Sequence, residues 1–231
     1  MNPICTAVIV AAGKGKRMGT DISKQFLPLC GKEILAHTVE KFEMAENVRD
    51  IVLVTGMESL QDAKDMAEEY GWKKVVSVVE GGKERQDSVW NGLQAVSEDT
   101  EIVLIHDGVR PFVTEEILDL SIETAMEMGG CVAGVPAKDT IKVCNEENIS
   151  IATPDRKTLW QIQTPQTFRK ELIVKAYEMA AGDGFIGTDD ASLAEYCGYP
   201  VKIIMGSYRN IKITTKEDLL IGEAFLREAQ A

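Results

Sequence analysis

The sequence predicts an α/β fold: one mostly parallel sheet with helices packed on both of its faces. Short runs rich in β-branched residues alternate with segments of helical periodicity along nearly the whole chain. Uninterrupted apolar strands of this kind are typical of parallel sheets that are buried on both sides. The length of 231 residues and an apolar content of 45% fit a single domain, residues 1–231, with a full core.

The predicted elements follow one another as strand, loop and helix. Five strands come first, TAVIVAA, DIVLVTG, KVVSVVEGG, EIVLIHDG and CVAGVPA. Between them four segments have helical spacing, EILAHTVEKFEMA, ESLQDAKDMAEEYG, ERQDSVWNGLQAV and EEILDLSIETAMEMG. The remainder predicts a rigid loop at WQIQTPQTF, helices near 169–181 and 189–197, a strand VKIIMG and a closing helix from about Lys216 to Glu228. Ligands of such folds bind at the carboxyl ends of the strands, so we expect the functional residues in the loops that follow them.

One segment interrupts this alternation. DTIKVCNEENISIATPD, residues 139–155, predicts two short strands around the polar turn NEEN, which would form an inserted β-hairpin arm. A lone hairpin is barely stable in water. We therefore expect the arm to pack against a second copy of the chain.

Composition excludes several classes of protein. A net charge of −12 argues against general binding to nucleic acid or to an anionic membrane, which both require a basic surface. No apolar run approaches the length of a membrane span, and the apolar N-terminal stretch lacks a preceding cationic segment, so we expect a first strand and not a signal peptide. The five cysteines include no C-x-x-C pair, which disfavours a zinc or redox motif and predicts reduced thiols in a cytoplasmic protein.

The loop AAGKGKRMG is small, flexible and basic in an otherwise acidic chain. It lacks the spacing of a phosphate-binding P-loop, and Met18 stands where a dinucleotide fingerprint needs its third glycine, which disfavours a nicotinamide cofactor. Small residues at a strand end let backbone N–H groups approach an anion. Arg17, and Lys24 a few residues on, match the charge of nucleotide phosphates. Taken alone, the loop fits an ordinary solvated surface loop equally well.

Two further loops follow predicted strands. In GGKERQDSVWNGL two glycines precede a helix, and Ser88 could contact a base or a sugar, although ordinary turn glycines explain the pattern as well. In IHDGVRP, Asp107 could bind a metal ion, a ribose hydroxyl or a substrate hydroxyl, and Arg110 suits a phosphate. Alternatively the two form an ion pair that ties the loop together. His106 has no clustered partner, which favours a structural role.

The last candidate residues lie in the C-terminal third of the chain. Thr164 in the TPQ loop could hold a polar substrate. Thr188 or Asp189 is predicted as the N-cap of a helix in GTDDAS. Lys212 is predicted in a short strand, where it faces either a site or the solvent. With no Ser-His-Asp set and no HExxH motif, the available residue types suit phosphoryl or nucleotidyl transfer.

Taken together, these stretches resemble a known family. The motifs AAGKGKRMG, SKQFLPL, GGKERQDSVWNGL, HDGVRP, KDTIK, PDRKTLWQIQTPQTF, TDDAS and NIKITTKEDL occur in the order seen in 2-C-methyl-D-erythritol 4-phosphate cytidylyltransferases of the non-mevalonate isoprenoid pathway. The resemblance covers almost the whole chain. It implies a Rossmann-like nucleotidyltransferase domain that forms a homodimer through its β-arm. It also implies transfer of CMP from CTP to methylerythritol phosphate, with Mg²⁺ held by the triphosphate and no metal site built by the protein.

The resemblance also assigns roles to residues. The cations around the α-phosphate would be Arg17, Lys24 and Lys212. Backbone and side-chain contacts to CTP would come from Ala11, Ala12, Gly13, Gly82, Ser88 and Asp107. Contacts to the methylerythritol phosphate would come from Arg110, Thr140, Arg156, Thr164 and Thr188, with Thr140 and Arg156 supplied by the partner subunit. The chain departs from the family pattern at Val10, Gly108, Val109 and Lys216, which affects backbone placement and removes no charged role.

Three alternatives stay open at this point. The first is a ribitol-5-phosphate or ribulose-5-phosphate cytidylyltransferase, which shares the fold and the cytidine site. The second is a nicotinamide-dependent reductase, against which the missing third glycine argues. The third is a non-catalytic nucleotide-binding protein, which leaves the three expected cations without an explanation.

Overall fold

The computed structural model describes residues 3–13 and 23–229. The helices are α1 (Ile34–Met44), α2 (Leu60–Glu69), α3 (Arg85–Gln94), α4 (Glu115–Met128), α5 (Lys170–Asp183), α6 (Asp190–Tyr196) and α7 (Lys216–Ala229). The strands are β1 (Cys5–Ala11), β2 (Pro28–Leu29), β3 (Lys32–Glu33), β4 (Asp50–Thr55), β5 (Val75–Glu80), β6 (Ile102–Asp107), β7 (Gly130–Pro136), β8 (Val143–Cys144), β9 (Ser150–Ala152), β10 (Trp160–Arg169) and β11 (Lys202–Met205).

The main sheet of the described chain has seven strands in the order β11-β7-β10-β6-β1-β4-β5. Only β10 runs antiparallel to its neighbours, β6 and β7, and the other adjacent pairs are parallel. The predicted mostly parallel α/β sheet is therefore confirmed.

Apolar residues of the central strands point alternately to the two faces of the sheet. In β1, Ala7 and Ile9 join the core beneath α1, α2 and α4, whereas Val8 joins the core beneath α3, α5 and α6. Neighbouring residues of β6 divide between the faces in the same way. Because successive side chains of a strand alternate, a continuous apolar run can be buried only between two helical layers.

The prediction of a loop at WQIQTPQTF was wrong, because these residues lie in the ten-residue strand β10. The segment is rich in Gln and Thr and has no run of β-branched residues, so its tertiary pairing with β6 and β7 outweighs local propensity. The register with β7 shifts between Ile162 and Gln166, and Pro165 falls in that irregular part, where a ladder N–H is not needed.

The predicted strand at Lys212 is also absent. Residues 211–214 belong to no strand of the described chain. A backbone bond from Ile213 N to Val109 O (2.9 Å) fastens the segment to the loop that follows β6. One such bond does not continue into a ladder, so the segment forms no strand despite its alternating pattern.

Helix α3 approaches the sheet closely. A Cβ atom at Gly92 would lie 2.5 Å from Val8 Cγ1 and 2.8 Å from Val54 Cγ2. This glycine therefore lets the helix rest on β1 and β4. As a result, the first turn of α3 lies beside the carboxyl ends of these strands.

The hairpin predicted for 139–155 is present as the two-stranded sheet of β8 and β9. Asn148 has a φ of 60° in its turn, and the Asn145 side chain accepts hydrogen bonds from two backbone N–H groups of the same turn. The apolar side chains of this hairpin are exposed: Ile141, Val143, Ile149 and Ile151. Within the described part of the chain, no helix is both long and apolar enough to cross a bilayer.

Candidate active site

A cavity of about 200 Å³ lies at the carboxyl edge of the parallel strands. Its walls come from the end of β1, the loop and first turn of α3, the end of β6, and the segments that carry Lys24 and Lys212. Eight residues expected to act on the nucleotide line it: Ala11, Ala12, Gly13, Lys24, Gly82, Ser88, Asp107 and Lys212. The structure thus brings together residues that span some 200 positions of sequence.

A second cavity, of about 170 Å³, adjoins the first. Three of the residues expected to hold the second substrate line it: Arg110, Thr164 and Thr188. Arg85, Asp107 and Lys212 line both cavities and form the wall that they share.

Of the remaining expected site residues, two described ones, Thr140 and Arg156, stand apart from these cavities. Arg17 lies outside the described residues. Thr140 and Arg156 are exposed at the base of the arm and line neither cavity of their own chain. Arg156 Nη1 donates to the Lys138 carbonyl at 2.8 Å, which orients the guanidinium at the arm base.

Asp107, the last residue of β6, is held by three cations. Its Oδ2 lies 2.9 Å from Lys212 Nζ and 3.3 Å from Arg110 Nε, and its Oδ1 lies 3.5 Å from Arg85 Nε. Burial alone would raise the pKa of this carboxyl, but Lys212, Arg85 and Arg110 outweigh burial and lower the pKa well below its usual value. The shared wall therefore carries the negative charge of Asp107 beside two positive charges, Arg85 and Lys212, and Arg110 adds a third positive charge on the side of the second cavity.

The Gly81–Gly82 loop lies directly against the nucleotide-side wall. A Cβ atom at Gly81 would overlap the Ala12 side chain, so only glycine lets the two backbones approach this closely. Ser88 Oγ accepts from Gly82 N (3.0 Å) and donates to Glu84 O (3.0 Å). Ser88 thus shapes the loop, and its hydroxyl hydrogen is already used within the protein.

His106 is fully buried and its two ring nitrogens are both bonded. Arg110 O lies 3.1 Å from Nε2 and can only accept, so Nε2 carries the hydrogen. Nδ1 therefore accepts from Thr164 Oγ1 at 2.9 Å, and that oxygen in turn accepts from Asp107 N at 3.1 Å. The expected structural role of His106 is confirmed, because it fixes Thr164 and the Asp107–Arg110 loop.

We expect the His106 ring to stay neutral far below the usual range of histidine. Burial is the main cause, and it lowers the pKa of this ring from 6.5 to about 4. Proton NMR across a pH titration measures this, and His37→Gln assigns the signals because the chain has only two histidines. A ring that titrates near pH 6.5 would contradict the buried, bonded state.

The same shift predicts a pH-dependent stability. The folded pKa lies below the unfolded one, so this contribution is present above pH 6.5 and is lost as the pH falls through about 4. The loss amounts to about 3 kcal/mol of unfolding free energy. Chemical unfolding of the wild type and of His106→Gln at several pH values isolates it, because only the wild type carries the difference. Parallel pH curves for the two proteins would contradict the prediction.

A sequence model of the 2-C-methyl-D-erythritol 4-phosphate cytidylyltransferase family (IspD) matches residues 5–228. The chain belongs to this family. It is 51% identical to the family member of Alkaliphilus oremlandii over 223 residues, which cover 96% of this chain and 94% of the relative. It is 52% identical to the member of Geotalea uraniireducens over 229 residues, which cover 98% of each chain.

Solved structures of the family have the same fold. The 4-diphosphocytidyl-2C-methyl-D-erythritol synthase of Anaerococcus prevotii aligns with a TM-score of 0.86 at 33% identity, over 98% of this chain and 97% of that chain. The 2-C-methyl-D-erythritol 4-phosphate cytidylyltransferase of Thermus thermophilus aligns with a TM-score of 0.78 at 30% identity, over 95% and 98%. The family resemblance read from the sequence is therefore confirmed.

In this cytidylyltransferase-family chain, sequence reasoning missed Gln25. The Gln25 side chain is 2% exposed, and its Nε2 donates to Ala11 O at 2.6 Å. This bond fastens the short 3-10 turn Lys24–Phe26 to the end of β1. The buried Oε1 has no hydrogen-bond partner among the described residues. The position of Gln25 directly after the candidate residue Lys24 was the one feature of the sequence that could have indicated a role for it in the site.

Sequence reasoning also missed Asn210, which anchors the Lys212 segment. Asn210 is fully buried, and its Nδ2 donates to Thr164 O at 2.9 Å. Its own carbonyl accepts from Arg110 Nη1 at 2.8 Å. Asn210 thus joins β10, the β6 loop and the segment of Lys212. Nothing in the local sequence around Asn210, two positions before Lys212, indicates this anchoring role.

Proposed function

We propose that this chain transfers a cytidylyl group from CTP to 2-C-methyl-D-erythritol 4-phosphate, giving 4-diphosphocytidyl-2-C-methyl-D-erythritol and pyrophosphate. The observation that carries the proposal is the pair of adjoining cavities, whose shared wall holds one carboxylate and two cations, with a third cation, Arg110, in the second cavity. Two anionic substrates that must meet at one phosphorus atom need this arrangement. Membership of the cytidylyltransferase family supports the identity of both substrates.

CTP is assigned to the first cavity. The backbone of Ala11–Gly13 and of the Gly81–Gly82 loop borders it, and glycine-lined backbone can lie flat along a nucleotide. A narrow slot with backbone donors and acceptors suits a pyrimidine and excludes a larger purine. The second substrate is assigned to the second cavity, which Arg110 and Thr188 line and where they would contact its phosphate and hydroxyl groups.

The reaction forms one bond and breaks one bond. An oxygen of the acceptor phosphate attacks the α-phosphorus of CTP in line, and the bond from that phosphorus to the β-phosphate oxygen breaks. Pyrophosphate leaves with the bonding electrons. The phosphate monoester is already anionic at neutral pH, so the step needs no general base. The chain contributes orientation and charge, and its cations stabilise the more negative transition state.

Lys212 lies where the two substrates would meet. Its Nζ is 2.9 Å from Asp107 Oδ2, and the side chain lines both cavities. Lys24 lies on the nucleotide side. We assign both, together with Arg17, to the phosphates around the reacting phosphorus.

We propose Mg²⁺ as the metal cofactor, carried by the triphosphate. Among the described residues, no group of three His, Cys, Asp or Glu side chains could hold a metal ion. Asp107 offers one carboxylate at the cavity, and its oxygens already face Lys212, Arg110 and Arg85. This donor set fits an ion that takes most of its ligands from phosphate and water. When bound, the ion neutralises triphosphate charge.

We propose that two copies pair through the β-hairpin arm. Its exposed apolar side chains need a partner, and an isolated hairpin is marginal in water. Pairing would bring Thr140 and Arg156 of one copy to the second cavity of the other. We place the enzyme in the cytoplasm, which fits cysteines that carry no disulfide.

Arg156→Ala is expected to impair use of the acceptor far more than binding of CTP. A guanidinium–phosphate bond contributes about 1.5–3 kcal/mol, so kcat/KM for the acceptor should fall about 10- to 100-fold. The dissociation constant of CTP should change less than about twofold. Steady-state kinetics and calorimetry measure the two quantities.

Lys142→Ala is the matched control for this variant. It removes another cation from the arm, one whose Nζ donates to Thr153 Oγ1 at 2.6 Å. We expect it to leave both parameters near those of the wild type. If Arg156→Ala weakened CTP and acceptor equally, the arm would have no specific role in holding the acceptor.

Pyrophosphate release tests the proposed function. The chain is incubated with CTP, Mg²⁺ and one of three acceptors: methylerythritol phosphate, ribitol 5-phosphate or ribulose 5-phosphate. We expect release with the first alone, and little release when ATP replaces CTP. Release with a pentose-derived phosphate would keep the mechanism and move the chain's activity to the alternative substrates. CTP binding without release from any acceptor would indicate a non-catalytic nucleotide-binding protein.

A further inference from the structure

An ion pair joins Arg85, in the wall that the two cavities share, to a buried carboxylate behind that wall. Asp190, at the start of α6, is fully buried, and its carboxylate receives both terminal nitrogens of Arg85, at 2.8 and 3.0 Å. Tyr177 of α5 donates a third hydrogen bond to the same carboxylate at 2.6 Å. The remaining guanidinium nitrogen, Nε, faces Asp107 Oδ1 at 3.5 Å.

Arg85 thus connects two carboxylates: Asp190, which is fully buried, and Asp107, which lines both cavities. Both terminal nitrogens of Arg85 donate to the Asp190 carboxylate, and this bidentate contact fixes the plane and direction of the guanidinium. Only the Nε edge of the guanidinium remains to face Asp107. Because Asp190 has no contact with solvent, its negative charge needs this cation, and the cation cannot move toward Asp107 without leaving a buried charge unpaired.

A second link joins the same elements. Gln86, next to Arg85 in the first turn of α3, donates to Phe185 O at 3.2 Å and accepts from Gly187 N at 3.0 Å. The loop that it holds leads directly to Thr188 in the second cavity. The first turn of α3 is therefore attached both to the nucleotide side and to the acceptor side.

We infer that Asp190 and Arg85 are a positioning pair that fixes the Asp107 carboxylate, and with it Lys212, between the two substrates. The inference rests on the proposed function. Asp190 touches neither cavity and acts only through Arg85. Without its charge, the guanidinium is drawn toward Asp107, and Asp107 and Lys212 shift relative to the reacting phosphorus.

Asp190→Asn tests this, because it keeps the shape of the side chain and removes its charge. We expect kcat for pyrophosphate release to fall about 10- to 100-fold, the cost of a small misplacement of reacting groups. The dissociation constant of CTP should change less than about threefold, because Asp190 does not line the cavity assigned to CTP. A purely structural role would instead lower the thermal midpoint and leave kcat per folded molecule unchanged.

Asp99→Asn is the matched control. Asp99 makes the same kind of bidentate ion pair with Arg49, at 2.6 and 2.8 Å. That pair lies at the amino ends of β4 and β6 and is exposed to solvent. Asp99→Asn should leave kcat unchanged. If Asp190→Asn does not fold, Arg85→Lys provides the second test, since it keeps both charges but cannot make the bidentate contact of the guanidinium. The expected loss in kcat is the same.

A double-mutant cycle decides whether Asp190 acts through Arg85. In an Arg85→Gln background, adding Asp190→Asn should lower kcat by less than about twofold. The inference is overturned if the two losses multiply, or if Asp190→Asn or its substitute Arg85→Lys keeps kcat within about twofold of the wild type. A wild-type chain without turnover would instead refute the proposed function, so the two failures are distinguishable.

Discussion

Lys24→Ala should lower kcat about 100- to 1000-fold while the fold stays intact. The Lys24 side chain lines the nucleotide cavity, and its turn is fastened to the end of β1 by the Gln25–Ala11 bond. A charge held in place before the reaction begins needs no reorganisation when the transition state becomes more negative. Loss of one such preorganised donor typically costs this much in rate.

The measurement is pyrophosphate release at saturating CTP and methylerythritol phosphate, with circular dichroism to verify the fold. Lys64→Ala is the control, because it removes the same charge from an exposed position on α2, remote from both cavities. Turnover close to that of the wild type in Lys24→Ala would remove this residue from the catalytic set.

Lys212→Ala should have an effect of similar size, about 100-fold or more in kcat. The reason differs in part. Lys212 contacts Asp107 Oδ2 at 2.9 Å and lines both cavities, so its loss removes a phosphate partner and also releases one side of the Asp107 carboxylate. Arg85 and Arg110 remain beside Asp107, so we expect the carboxylate to stay ionised.

Lys212→Arg separates the two contributions. It keeps the positive charge but changes its shape and reach, and it should recover part of the lost rate. The kinetics of both variants are compared at the same substrate concentrations. If Lys212→Ala raised only the KM for CTP and left kcat unchanged, Lys212 would be a binding residue without a role in the transition state.

Much of the fold was predictable because burial on both faces leaves a strong local pattern. The runs that form β1, β4, β6 and β7 are largely apolar, the edge strand β5 is rich in valine, and all five form the expected strands. Strand β10 gave no such pattern. Its polar sequence forms a strand only because β6 and β7 offer it partners on both sides.

The site was predictable where its residues follow strands. Gly82, Ser88, Asp107 and Arg110 meet at one edge because parallel strands end there. The buried network was not predictable in this way. Arg85 and Asp190 are 105 positions apart, and nothing in the local sequence of either residue indicates the other.

Helix capping shows how one local signal can conceal another role. Asp189 is the N-cap of α6, as predicted, and its side chain accepts from Ser192 N at 2.9 Å. Because helix capping accounts for acidic residues at the start of a helix, the sequence alone indicates no separate role for Asp190. Only the fold reveals that the second acid is buried and faces the shared wall.

Isotope tracing tests the central claim, attack of the acceptor phosphate on the α-phosphorus of CTP, most directly. Methylerythritol phosphate labelled with oxygen-18 at its non-bridging phosphate oxygens is incubated with CTP and Mg²⁺, and both products are analysed by mass spectrometry and phosphorus NMR. The account predicts that all of the label appears in the cytidine diphosphate alcohol, one labelled oxygen in its bridge, and none in pyrophosphate. Label in pyrophosphate, or release of CMP with the labelled acceptor unchanged, would contradict it.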